Sequence, residues 1–128
     1  MFVKVTEGIE ITVDTKFDPQ NSVPYSDFNW FTYYITIQNQ SEYDVQLLRR
    51  QWHIYDSFLK TQEVEGEGVI GETPIIAPGM KHSYHSHVNL RTEMGFMEGT
   101  YLMQRIGDGY EFYVDIPRFI LEIPYKLS

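Results

Sequence analysis

The run Phe28-Asn29-Trp30-Phe31-Thr32-Tyr33-Tyr34-Ile35-Thr36-Ile37-Gln38 decides the fold. Phe31, Tyr33, Ile35 and Ile37 share one parity, and Trp30 and Tyr34 the other, so an extended chain is apolar on both faces there. That pattern predicts a central strand. The period of two spreads outward from it. Val3, Val5, Ile9, Ile11 and Val13 read as one strand with a single buried face, bent at Gly8. Residues 14–27 read as loop, punctuated by Asp18-Pro19, Asn21-Ser22 and Val23-Pro24. After the turn Asn39-Gln40-Ser41-Glu42 come strands over Val45–Asp56, Met80–Leu90, Met97–Ile106 and Tyr110–Ile116. Short strands or extended loop fill Gln62–Gly71, and a last short strand through Phe119, Leu121 and Ile123 follows Pro117. Alanine, the best helix former, occurs once, at Ala77, whereas aromatic residues make up 16% of the chain. The expectation is an all-β sandwich of seven or eight strands, one domain over residues 1–128.

Charge and composition remove several function classes. Eighteen Asp and Glu stand against ten Lys and Arg, a formal charge of −8, and no basic cluster exceeds Arg49-Arg50. A duplex binder takes most of its affinity from neutralised phosphates, so no nucleic-acid partner is expected. Cysteine is absent, which excludes disulfides, a thiolate nucleophile and zinc–sulfur sites. The opening residues lack the apolar run of a signal peptide, and WFTYYITI, at 30–37, is too short and polar to span a bilayer. The expectation is a cytoplasmic protein without membrane insertion.

Three motifs carry chemistry to be weighed. Gly66-Glu67-Gly68-Val69-Ile70-Gly71 fits G-x-G-x-x-G, a phosphate loop when it leads into a helix. Pro74 and Pro78 forbid that helix, and Glu63, Glu65, Glu67 and Glu72 surround the loop with no basic residue between Lys60 and Lys81. The stronger reading of Gly66, Gly68 and Gly71 is a turn that needs glycine dihedrals. Glu63, Glu65 and Glu67 share a parity that suits either a hard cation or a solvated strand face. His85 and His87, two apart, could hold a divalent transition metal given a third ligand, and otherwise read as surface histidines. His53 reads as a surface strand residue. No catalytic arrangement emerges and no cofactor is expected: G-x-S-x-G and H-E-x-x-H are both missing. Arg50 and Trp52 are expected to share a face with Leu48 and Ile54, Trp52 in the core. Arg50 there would pair with a buried carboxylate and stack on the indole, or else bind an anion.

From residue 28 to residue 124 the chain resembles the ApaG family, also called CorD, a Co²⁺/Mg²⁺ efflux-associated family. The resemblance rests on Val45-Gln46-Leu47-Leu48, Arg50, Trp52 and Ile54. It continues through Glu63-Val64, the glycines of 66–71, Pro74 and Ala77-Pro78-Gly79. Thr92, Gly95, Met97, Gly99 and Tyr101 follow, then Phe112, Asp115-Ile116-Pro117, Phe119, Leu121 and Pro124. Departures are Tyr84-His85-Ser86-His87 in place of Tyr-Thr-Ser-Gly, Glu93 in place of proline, and an Asp56–Lys60 turn without its glycine. The resemblance implies an immunoglobulin/fibronectin-III-like β-sandwich and a link to cobalt resistance and magnesium efflux. With no catalytic constellation, the expected function is a non-enzymatic interaction module with a protein partner, and a homodimer stays open. Two alternatives remain: a nucleotide or polyphosphate binder with weak Mg²⁺-dependent phosphohydrolase activity at the glutamates, and a soluble cobalt binder through His85 and His87.

Overall fold

The computed structural model describes residues 1–24, 26, 28–57 and 60–124, with the backbone alone at 60 and 61. Among these residues nine strands follow one another: β1 (Phe2–Thr6), β2 (Ile9–Val23), β3 (Phe28–Asn39), β4 (Val45–Asp56), β5 (Lys60–Glu67), β6 (Ile75–Ile76), β7 (Lys81–Leu90), β8 (Met94–Arg105) and β9 (Glu111–Glu122). No helix forms among the described residues, so none is long and apolar enough to cross a membrane. All pairings are antiparallel, in two sheets: β1-β2-β3-β7, and β5-β4-β8-β9 with β6 also on β4. Their inner faces enclose the core. Ile9, Ile11, Val13 and the odd residues Phe31 to Ile37 come from one sheet; Leu47, Trp52, Tyr101, Met103, Phe119 and Leu121 come from the other. The all-β sandwich and the central strand at β3 therefore agree with the sequence reading.

Four details differ from it, each for a local reason. The single strand over Val3–Val13 is a hairpin. Glu7 and Gly8 both take positive φ (48° and 81°), the two-residue turn whose twist matches paired strands. This adds a strand to the count and leaves Val3 and Val5 at the surface. The stretch expected as loop from Asp14 is strand to Val23, because β3 is long enough to pair it, with Thr15 opposite Tyr33 and Phe17 opposite Phe31. Pro19 falls between Asp18 and Val23, where the register breaks, so its missing N–H interrupts no regular ladder. Asp27, the end of that expected loop, lies outside the described residues, as does the tip of the Asp56–Lys60 turn. Pro117 does not end a strand either: β9 runs through it at a bulge, with Met97 opposite Phe119 and Gly99 opposite Ile116.

The fourth difference sets up the site. In β4 the register shifts between Leu47, opposite Met103, and Arg49, opposite Leu102. Leu48 is the extra residue. Before it the odd residues Val45 and Leu47 are buried; after it the even residues Trp52 and Ile54 are. Leu48 is thus not the inward neighbour of Trp52 that unbroken alternation implied.

Candidate functional site

The bulge turns Arg50 toward the space between the sheets, two residues from Trp52. Trp52 is buried edge-on against Tyr33 (ring centroids 5.5 Å), Tyr101 (6.4 Å) and Phe119 (5.8 Å). A guanidinium beside such a core needs acceptors. It finds them where β5 ends: Arg50 Nη1 donates to the carbonyl oxygens of Glu67 and Gly68, each at 3.0 Å. The expected carboxylate partner and the stack on Trp52 do not occur among the described residues. The backbone carbonyls replace them.

The glycine motif is shaped around this clasp. A Cβ on Gly66 would stand 2.9 Å from Arg50 Nη1. Gly68, at φ +62°, donates its N–H to the Leu48 carbonyl (2.8 Å), and a Cβ there would collide with the Glu72 carbonyl. Val69 and Glu72 then close a tight turn through reciprocal hydrogen bonds of 2.8 and 3.0 Å, with Ile70 (φ 48°) and Gly71 (φ 73°) at its tip. The groups this loop turns inward are carbonyl oxygens holding a cation, the opposite polarity to a phosphate loop.

The glutamates are spread among separate partners. Glu63 Oε1 accepts from Gln51 Nε2 (3.2 Å) and lies 4.0 Å from His53 Nδ1; Glu65 pairs with Arg49 (3.5 Å); Glu72 stands 3.9 Å from His82. Among the described residues no three His, Asp or Glu converge as a metal-ligand set.

His85 and His87 do lie side by side, ring centroids 6.0 Å apart, on the outer face of the first sheet. Their neighbours are aromatic or hydroxylic. His87 Nδ1 is 3.1 Å from Thr32 Oγ1 and its ring meets Trp30; His85 packs against Tyr34; Phe28 packs on Trp30 at 5.7 Å. The result is a band of aromatic and imidazole rings across β3 and β7. It borders a hollow of about 400 Å³ lined by Lys16, Asp18, Thr32 and Tyr34. The Asn21 side chain, donating at 2.6 Å, is the first cause holding the Asp18 carboxyl below its usual range. Sequence reading noted Trp30 and Tyr34 as apolar and the histidines as paired. The register that sets Thr32 opposite His87 and Tyr34 opposite His85 joins them.

Between the outermost strands β5 and β7 the sandwich is open. Tyr33, Arg50, Trp52 and Ser86 line two adjoining hollows there, of about 310 and 140 Å³. Deeper in, the hydroxyls of Tyr84 and Tyr101 hydrogen-bond each other. Burial is the main force raising the pKa of Tyr33, Tyr84 and Tyr101, while the Arg50 charge draws all three down.

Comparison with known proteins places this geometry in a lineage. Residues 19–105 match the ApaG domain family (DUF525). The chain is 45% identical over 120 residues to the protein ApaG of Pseudomonas aeruginosa, covering 93% of this chain and 94% of that one. It is 44% identical over 124 residues to the ApaG protein of Afipia carboxidovorans, covering 97% and 95%. Among solved structures, the ApaA protein of Bordetella pertussis superposes with a TM-score of 0.87 at 34% identity, over 91% of this chain and 94% of that one. The X-ray structure of the structural-genomics target SoR45 gives 0.85 at 40% identity, over 92% and 89%.

Proposed function

The chain belongs to the ApaG family, and from that premise we propose that it is a non-enzymatic protein-interaction module whose partner connects it to cobalt and magnesium homeostasis. It does so as a single cytoplasmic domain over residues 1–128. The observation that carries this reading is the ring band on the outer face of β3 and β7. Phe28 and Tyr34 keep 43% and 45% of their surface exposed, and Trp30, His85 and His87 join them in one contiguous patch. Tyrosine and tryptophan supply large, rigid contact area at protein interfaces and dominate their energetics. A monomer gains nothing by leaving them in water.

The experiment is capture from native cells with tagged protein, with and without added Co²⁺, comparing the wild type with a Trp30→Ser/Tyr34→Ser variant. The variant is expected to lose the captured partner at least tenfold while its circular dichroism is unchanged. Capture that survives the double substitution ends the reading.

A further inference from the structure

We propose that the opening between β5 and β7 is a binding site for a monocarboxylate carried on a compact apolar body, with Arg50 as its anion-binding group. A guanidinium has five N–H donors in a planar fork. Arg50 commits Nη1 to the Glu67 and Gly68 carbonyls. Among the described residues Nε and Nη2 have no acceptor, and Arg50 enters no ion pair. The clasp neutralises none of the charge and fixes the plane of the group. An immobilised, half-buried guanidinium without a counter-ion is half of a bidentate carboxylate pair.

The surroundings define the rest of the ligand. The larger hollow, about 310 Å³, has Trp52, Ile54, Val64, Val88 and Met97 on its wall. That is at the small end of ligand sites, which run from about 300 to 1,000 Å³. It suits a ring or branched aliphatic body and excludes a dinucleotide. Asn89, opposite Trp30 across β3 and β7, lines the outer mouth of the same hollow, and its Oδ1 is buried without a hydrogen-bond partner among the described residues. A buried polar atom left open beside a cavity marks a place where a ligand completes the bonding; the amide, turned half over, offers N–H donors instead. Charge decides between a carboxylate and a polyphosphate. One guanidinium matches one negative charge. Residues 61–80 supply no second cation, while Glu63, Glu65, Glu67 and Glu72 raise the cost of each further charge. This goes beyond the interaction reading, and it is tested without the cellular partner.

The test is an NMR titration of the full chain, read at the Arg50 Nε–H and Trp52 Nε1–H resonances. The probes are 3-phenylpropionate, 3-phenylpropionamide, inorganic phosphate and the peptide acetyl-Gly-Gly-Phe with a free C-terminus. The propionate is expected to saturate with a Kd of about 1 mM or tighter, with the amide and phosphate at least tenfold weaker. A peptide that binds as well as the free acid identifies a chain terminus as the source of the carboxylate; a peptide that fails identifies a small acid. Arg50→Lys, which keeps the charge and loses the fork, is expected to weaken the propionate at least tenfold. Because Arg50 also holds the loop, Val64→Phe provides a second variant that fills the hollow and leaves the clasp alone, with the same tenfold loss. Equal binding of acid and amide, equal binding of phosphate, or no saturation at about ten times the expected Kd overturns the proposal.

Discussion

Gly68→Ala is the sharpest probe of the loop that clasps Arg50. At φ +62° an alanine is strained by about 1 kcal/mol. Its Cβ would collide with the Glu72 carbonyl oxygen, 2.8 Å from the carbonyl carbon and 3.2 Å from Thr73 Cγ2. The obstacle is backbone, so relief requires the turn itself to open. Opening it breaks the Val69–Glu72 hydrogen bonds and draws the Gly68 carbonyl away from Arg50 Nη1. A peptide hydrogen bond is worth about 1 kcal/mol and one to a charged donor about 1.5–3 kcal/mol. The expected loss is about 4–6 kcal/mol. Gly71→Ala is the internal control: φ is +73°, yet among the described residues no atom beyond its own chain neighbours lies within 4 Å of the new Cβ, so the loss stops at about 1 kcal/mol. Urea unfolding of the two variants under one buffer measures the gap. With m near 1–2 kcal/mol/M for a chain of this size, the midpoints separate by about 1 M or more. Losses within about 0.5 kcal/mol of each other would show that only glycine's dihedral freedom matters there, and the clasp argument would fail.

Trp52→Ala is expected to cost about 3–5 kcal/mol, since it empties a space bounded by Tyr33, Tyr101 and Phe119; a loss under about 1 kcal/mol in the same urea assay contradicts that packing. Ile70, β-branched yet at φ 48° and well exposed, is strained, so Ile70→Asn is expected to stabilise by about 1 kcal/mol; a lowered melting temperature refutes it. Burial raises the pKa of Tyr84 and Tyr101, so the folded state holds their protons after the unfolded chain has released them. The stability they contribute is full below pH of about 10 and is lost as pH rises beyond it. Phenolate absorbance should show these two tyrosines ionising only together with unfolding, and independent ionisation in a folded chain would contradict their burial.

Elements whose own side chains alternate were legible from residues alone. β3 declares itself through two apolar parities, and Trp52 and Ile54 declare the inner face of β4. What escaped depended on a neighbour. The polar half of β2 has little apolar period of its own and is strand because β3 pairs it. Glu7 gives no hint of positive φ, so one hairpin looked like one bent strand. The bulge at Leu48 and the passage of β9 through Pro117 are set by the facing strand β8. The site divided in the same way. Arg50 and the glycines were each visible, and the reading of the loop as a turn anticipated positive φ at one or more of Gly66, Gly68 and Gly71; Gly68 and Gly71 adopt it, while Gly66 lies in β5 without it. Their union was hidden because the carbonyls that hold Arg50 lie 17 and 18 residues further along the chain. The ring band was hidden for the same reason: its two strands are 55 residues apart where Thr32 meets His87.

The extra residue at Leu48 has a meaning for descent as well as for packing. Substitutions along β4 act in degrees, according to what each side chain touches. A change of length acts differently according to where it falls. Leu48 has no residue of its own to face on β8, since Leu47 stands opposite Met103 and Arg49 opposite Leu102. Removing it would close the bulge and leave Val45, Leu47, Arg50, Trp52 and Ile54 in one unbroken alternation on the inner face. Such a bulge is the trace that a one-residue insertion leaves in a paired strand, and a lineage carrying it can give that residue back without exchanging the strand's two faces.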